Sequence, residues 1–382
     1  MAGGDNVRRT RAAAKRSAME EDATKSAAQA KKRAVKKRPA LVNLSNQQVA
    51  SSRAAGVGVP VKEQQQHSGK VAAKAVVVVE GDENAIPDID HGQSDPQMCS
   101  MYAAEIYEHL RRAEIKRRPS SDFMESLQQD INKSMRGILI DWLVEVAEEY
   151  KLVPDTLYYT ISYIDRFLST NVVPRQRLQL LGVSCMLIAA KYEEICSPQV
   201  EEFCYITDNT YCREEVLEME RKVLNELNFE LTTPTTKSFL RRFIRAAQAG
   251  YKAPSLSLEF LGNFLAELTL MEYSFLPYLP SLIAASAVFM AKLTLDSSRH
   301  PWDSTLQHYT GYKPSELREC VVGIHEIQCN TKNCTLPAIR EKYRQHKFKC
   351  VTTLVPPSII PSEYFCDIDT VPMSYFQFFQ SA

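Results

Sequence analysis

From about residue 98 to residue 346 the apolar positions recur at the three- and four-residue spacing of helix faces. Tyr102, Ile106, His109 and Leu110 share one face of a first segment, which Pro119 closes. Beyond it, helix formers dominate, strand-like alternation is absent, and Pro or Gly falls between helical blocks. That pattern predicts an all-α body. Residues 1–96 read differently. They are rich in Ala, Lys, Arg, Gln and Ser, contain no aromatic residue and show no sustained period. Such a segment buries too little to offset its ordering entropy and is expected to be a disordered basic tail. Residues 348–382, with several prolines and aromatics, read as a draped or loose tail.

The body also repeats itself. Shifted by 101 positions, Arg136–Leu143 falls over Lys237–Ile244, Leu157–Ile164 over Leu258–Leu265, Ala190-Lys191 over Ala291-Lys292, and Glu215–Glu218 over Glu316–Glu319. Four blocks at one offset predict two tandem helical units of about 100 residues, the size of small domains. Pro234, in Leu231-Thr-Thr-Pro-Thr-Thr236, marks the join, because proline disfavours helix in the residue before it. The expected division is a tail over 1–96, a helix and linker over 97–134, one unit over 135–233, a second over 234–347, and a tail over 348–382.

Charge changes the picture. Lys+Arg and Asp+Glu both number 46, but residues 1–80 hold 16 basic and 6 acidic side chains. A basic tail therefore precedes an acidic body, a poor clamp for phosphates, and no direct nucleic-acid partner is expected. No apolar run approaches a membrane span, so no membrane partner is expected either. The 10 cysteines are scattered through helical patterns, which reads as reduced thiols rather than a disulfide scaffold. None forms a Cys-x-x-Cys knuckle with paired histidines, so neither a metal nor another cofactor is expected. An enzyme is disfavoured as well. There is no Gly-rich phosphate loop, no His-Glu-x-x-His and no Cys/His nucleophile pair. Glu148-Glu149 and Glu193-Glu194 are adjacent on helices, so their side chains diverge.

The segment Met135–Tyr150 carries the most information. Ile140, Leu143, Val144 and Ala147 form one apolar stripe, while Met135, Ile138, Leu139 and Trp142 form a second, about 130° around the helix. A surface helix needs one stripe. Two stripes fit either a helix buried on both sides or one exposed recognition patch, which Asp141, Glu145, Glu148 and Glu149 would rim. Arg136 projects among the first stripe, where a guanidinium needs a carboxylate partner. Asp165, on the flank of the next helix, is the nearest candidate.

Met135-Arg-Gly-Ile-Leu-Ile-Asp-Trp-Leu-Val-Glu-Val-Ala-Glu-Glu-Tyr-Lys151 resembles the hallmark of mitotic cyclins, most of all the plant A-type. Tyr163–Leu168, Arg177–Leu180, Ala190–Glu194 and Tyr205–Asp208 extend the resemblance, which runs from about 98 to 347. It implies two cyclin boxes of five helices each and a regulatory subunit that activates a cyclin-dependent kinase from S phase to mitosis. By that resemblance Lys191 and Glu220 hold the kinase, with Tyr192, Leu224 and Phe229 beside them and Tyr102, Ile106 and His109 as a second contact. Family members often carry Tyr where His109 stands. It further implies a docking patch for Arg-x-Leu-bearing substrates and inhibitors, made of Met135, Ile138, Leu139, Trp142, Glu145, Leu178 and Gln179. Arg136 and Asp165 would be its structural ion pair.

Within the tail, Arg38-Pro-Ala-Leu41, with Asn46 downstream, resembles the destruction box read by the anaphase-promoting ubiquitin ligase. A degron must be reachable as an extended segment, and a disordered tail provides one. Lys31-Lys-Arg33 and Lys36-Lys-Arg38 read as a nuclear-import cluster, so nucleus and cytoplasm are the expected locations. The rival class is a cyclin-box transcription factor of the factor-IIB kind, which touches DNA through its helical repeats. The acidic body argues against it.

Overall fold

Proline and short polar side chains set where the helices begin. The computed structural model describes residues 86–91, 96–251, 253–330 and 335–367, which all lie within one compact unit. Its helices in chain order are α1 (Ala103–Ala113), α2 (Phe123–Ser126), α3 (Lys133–Glu149), α4 (Pro154–Leu168), α5 (Leu178–Glu193), α6 (Val200–Ile206) and α7 (Arg213–Glu226). They continue with α8 (Thr236–Ala247), α9 (Leu256–Met271), α10 (Pro280–Leu295), α11 (Ser304–Thr310), α12 (Pro314–Cys329) and α13 (Ala338–Arg344). No strand occurs among the described residues, so the chain is all-α. Pro154, Pro280 and Pro314 each take a first helical position, where a missing N–H costs nothing. Asn132 caps α3 by accepting from the Met135 N–H at 2.9 Å, and Asp303 caps α11 through the Leu306 N–H at 2.8 Å.

Five helices, α3–α7, make the first box and five, α8–α12, the second. Each is built round one helix that is apolar on every side. In α5 every residue from Leu178 to Ala190 is buried, and in α10 every residue from Ile283 to Ala291. Helices α4 and α7 pack on α5, as α8, α9 and α12 pack on α10.

Helix α3 resolves its two stripes unequally. Ile140, Leu143, Val144 and Ala147 are all buried, whereas Met135, Ile138 and Trp142 are only half-buried. Leu139 lies under that second stripe at 0% exposure, against α5, where a Cβ on Gly182 would come within 2.8 Å of it. On its other side α3 meets the second box and α13. Gly137 permits that approach, since a side chain there would press on the Leu336 side chain.

Two expectations need correction. Asp141 does not rim a surface patch. It is 1% exposed and accepts from the Ala338 N–H at 2.8 Å, at the start of α13. Residues 86–91, assigned to the disordered tail, are anchored on the second box. Arg242 holds both Asp90 oxygens at 2.9 and 2.8 Å, Ile89 is buried, and the Tyr309 hydroxyl bonds the Ile89 N–H and the Pro87 carbonyl. One bidentate ion pair and one apolar anchor order a short strap that average composition conceals. The basic tail up to residue 85, with Arg38, Leu41 and Asn46, lies outside the described residues, as do residues 368–382.

Candidate protein-docking faces

The interior of the first box is pinned by one charge pair. Arg136 donates from Nε and Nη2 to the two Asp165 oxygens at 2.6 and 2.7 Å, and its Nη1 reaches the Leu270 carbonyl at 3.0 Å. Both side chains are buried. The fork geometry satisfies the carboxylate on both oxygens, and the third bond ties α3 to α9 of the second box.

At the C-terminal end of α5 the character changes from core to surface. Lys191 is the first exposed residue of that helix, and its ammonium lies 2.6 Å from Glu220 of α7. Side-chain exposures of 48% and 12% make this a rim pair with a well-packed carboxylate. In such surroundings a pair contributes ~0–1 kcal/mol to folding, so stability alone is a weak reason for it. Tyr192 follows, its ring edge-on to Tyr159 at 5.3 Å and its hydroxyl 2.6 Å from that of Thr232. Burial and neighbouring acidic groups push the Tyr159 phenol up to about 12. Ile195 beyond is fully exposed.

Helix α7 ends at the same surface. Asn228 and Phe229 take left-handed backbone angles, φ 51° and 56°, and the Phe229 N–H bonds the Leu224 carbonyl at 3.0 Å. A left-handed turn at an aromatic costs about 1–2 kcal/mol, and here it holds Phe229 in solvent at 65% exposure beside half-buried Leu224. Next in the chain, Glu230 takes both nitrogens of a fork from Arg117 at 2.8 Å, and Arg117 also reaches the Thr232 carbonyl. Thus the segment after α1 is tied to the link that Tyr192 touches.

Helix α1 has two unlike faces. Tyr107 bonds the Ser238 carbonyl, and Arg111 reaches Ser281 and Tyr312 while Glu114 takes the Ser281 N–H at 2.9 Å; all are in the second box. The opposite face leaves Tyr102, Ile106 and His109 exposed. Lys191, Glu220, Tyr192, Leu224 and Phe229 therefore gather on one surface, and Tyr102, Ile106 and His109 form a second one. Sequence reasoning missed Ile195, Tyr159, Arg117 and Glu230. Ile195 was legible as an apolar residue just beyond the helix, whereas the fork between Arg117 and Glu230 spans 113 positions and leaves no local signal.

On α3, Met135, Ile138, Trp142 and Glu145 are half-buried along one side. Leu139 and Leu178 are buried, so they floor this strip rather than present themselves. Gln179, in the first turn of α5, is 3% exposed, and its Oε1 has no hydrogen-bond partner among the described residues. A buried acceptor without a donor is uncommon. Among the described residues no group of three or more His, Cys, Asp or Glu side chains is arranged to hold a metal.

Comparison with known proteins bears on all of this. The model of the cyclin N-terminal domain matches residues 105–232, and that of the cyclin C-terminal domain residues 234–357. Cyclin-A1-3 of Oryza sativa subsp. japonica is 63% identical over 282 residues, which cover 74% of this chain and 57% of that protein. Cyclin-A1-4 of the same organism is 58% identical over 290 residues, 76% of this chain and 80% of its own. The chain thus spans between just over half and four-fifths of these two relatives. The X-ray structure of a viral cyclin from herpesvirus saimiri shares the fold, with a TM-score of 0.52 at 18% identity, over 58% of this chain and 96% of that one.

Proposed function

The chain belongs to the cyclin family and is similar to plant A-type cyclins, and on that premise we propose that it binds and activates a cyclin-dependent serine/threonine kinase. Cyclins are regulatory subunits rather than catalysts. The observation that carries the reading is the surface at the end of α5: the Lys191–Glu220 pair beside exposed Tyr192, Ile195 and Phe229. Exposed aromatic and apolar groups around a fixed polar pair are the composition of a protein-docking core.

Kinase catalysis needs a Lys–Glu ion pair that forms only when the kinase's own C-helix is turned inward. The cyclin supplies no catalytic group. It binds the inward form more tightly and so shifts the population toward it. Lys191 and Glu220 offer a donor and an acceptor to backbone groups at a helix or loop end, while Leu224 and Phe229 take an apolar anchor. Tyr102, just before α1, and Ile106 and His109 on it add a second contact. The test is a pull-down from dividing cells, with histone-kinase activity assayed on the eluate. Retention on duplex DNA without kinase activity would favour the factor-IIB-like class instead.

Three finer functions belong to the same reading. The strip of Met135, Ile138, Trp142 and Glu145 over Leu139, Leu178 and Gln179 docks Arg-x-Leu segments of substrates and inhibitors. The apolar trough takes the Leu, Glu145 faces the Arg, and the unpartnered Gln179 Oε1 accepts a peptide N–H. The Arg38, Leu41 and Asn46 segment is the degron for the anaphase-promoting ubiquitin ligase, so the protein is removed by ubiquitin-mediated proteolysis after serving S phase to mitosis. The basic cluster beside it directs the protein to the nucleus, with a cytoplasmic pool. An Arg38→Ala, Leu41→Ala protein that still disappears on schedule at mitosis would remove the degron.

A further inference from the structure

The internal repeat has a consequence for the second box. At the 101-residue shift α7 falls over α12, and the C-terminal half of α5 over that of α10: Ile188 matches Phe289, Lys191 matches Lys292, Cys196 matches Ser297, Leu217 matches Arg318 and Leu224 matches His325. In the first box this face is open, with Ile195 fully exposed and Leu224 half-buried. In the second box the corresponding face is covered by the chain's own C-terminal segment. Phe365 stacks flat on Phe289, with centroids 5.4 Å apart and planes 5° from parallel, and the Arg318 guanidinium lies over the Phe365 ring at 5.6 Å. Phe365 is buried, and its neighbour Tyr364 bonds the Ser297 carbonyl at 3.2 Å and sets its ring edge-on to His300. Upstream, His325 Nε2 donates to the Pro357 carbonyl at 2.7 Å, and downstream the Ser315 N–H donates to Asp367 at 3.3 Å. Three of the residues contacted, Ser297, Arg318 and His325, match first-box residues that are exposed or half-buried, Cys196, Leu217 and Leu224, whereas Ile188, the match of Phe289, is already buried in the first box.

We propose that residues 357–367 are an intramolecular ligand. They fill, on the second box, the counterpart of the face that the first box leaves free, so that the chain offers one such face rather than two. The occupant has the form of a docked peptide. Apart from one short turn at Ser362–Phe365 it lacks regular structure, and it is held by an aromatic anchor, a cation over that anchor and backbone hydrogen bonds. Pro357 and Pro361 restrict it before it binds, which lowers the ordering cost. Tethering holds it near the groove at an effective concentration on the order of millimolar, so a free peptide competes poorly while the tether is intact. That the covered face is the counterpart of a kinase-binding one rests on the function proposed above; that it holds a displaceable ligand does not.

The experiment uses a labelled peptide of residues 357–367, read by fluorescence anisotropy against the 382-residue chain and against a chain ending at Pro356. The peptide should bind the shortened chain at least about tenfold more tightly than the intact one, and a peptide carrying Phe365→Ala should lose about tenfold or more. An intact-length chain carrying Phe365→Ala serves if the shortened one does not fold, and it too should gain affinity for the peptide. Equal binding to opened and intact chains, with cooperative melting of both, would overturn the proposal, as would a Phe365→Ala peptide that binds undiminished. Kinase activation is measured in parallel. Loss of peptide binding with activation intact sinks the intramolecular ligand alone, whereas absence of activation by every chain sinks the kinase reading alone.

Discussion

Replacing Asp165 by Ala removes the carboxylate bonded to Arg136 and, among the described residues, leaves the guanidinium with the Leu270 carbonyl alone. Arg136 is 2% exposed and cannot reach water without displacing the α3–α9 contact. Breaking a buried pair from one side costs about 3–5 kcal/mol, because the remaining charge stays desolvated. In a domain of this size each kcal/mol lowers the melting temperature by about 2–4 °C, so the expected drop is about 6–20 °C. The measurement is calorimetric or circular-dichroism melting of the variant beside the parent. Because the third bond of Arg136 crosses to the second box, both boxes should melt earlier together. An Arg136→Met, Asp165→Leu double variant should recover most of the loss, since an apolar pair of similar volume leaves no charge behind. A melting temperature unchanged by Asp165→Ala would refute the buried-pair reasoning, and no recovery in the double variant would show that packing rather than charge was lost.

Other consequences are open to test. Trp142→Ala should weaken phosphorylation of Arg-x-Leu-bearing substrates by about tenfold and spare a short peptide lacking the motif; equal loss on both would point to misfolding. With a maleimide near pH 8, exposed Cys196, Cys212 and Cys366 should react in the folded chain, while Cys185 and Cys320 should wait for denaturant. Burial pushes both of those thiols up, Cys320 to about 12, and mass mapping of a modified Cys320 in the native state would contradict this. Burial holds the His300 imidazole below its ordinary value, so the unfolded chain takes up that proton first as pH falls. Its contribution to stability is present above about pH 6.5 and is lost as pH drops from there toward the lowered folded value. His300→Asn should therefore show a smaller fall in melting temperature between about pH 7.5 and 5.5 than the parent, and an identical fall would refute the assignment.

How far the sequence could be read depended on the range of each interaction. Two stripes on α3 and the 101-residue repeat are local or periodic, and both survive in the folded molecule, as a helix with one stripe buried and most of the other half-buried and as a pair of five-helix boxes. Arg136 could be singled out because a cation among Ile140, Leu143 and Val144 needs a partner whatever the fold. Asp141 was misread for the converse reason. A carboxylate between two stripes looks like surface until α13, nearly 200 positions away, brings the Ala338 N–H to it. The same holds for buried Glu267, which meets Lys342 at 2.9 Å and Tyr343 at 2.7 Å across 75 or more positions. The strap at 86–91 escaped because disorder was judged from composition over 96 residues, whereas Ile89 and Asp90 act singly.

The central claim is that the surface around Lys191 and Glu220 engages the kinase. It is tested most directly by making Lys191→Ala and Glu220→Ala separately and adding each to a monomeric cyclin-dependent kinase. Histone phosphorylation is then measured beside a melting curve of the cyclin alone. Because the pair adds only ~0–1 kcal/mol to folding, the melting curves should barely move. Activation should fall by about tenfold or more in each variant, the loss expected when a docking-core residue is truncated. Full activation by both variants, with both folded, would contradict the account.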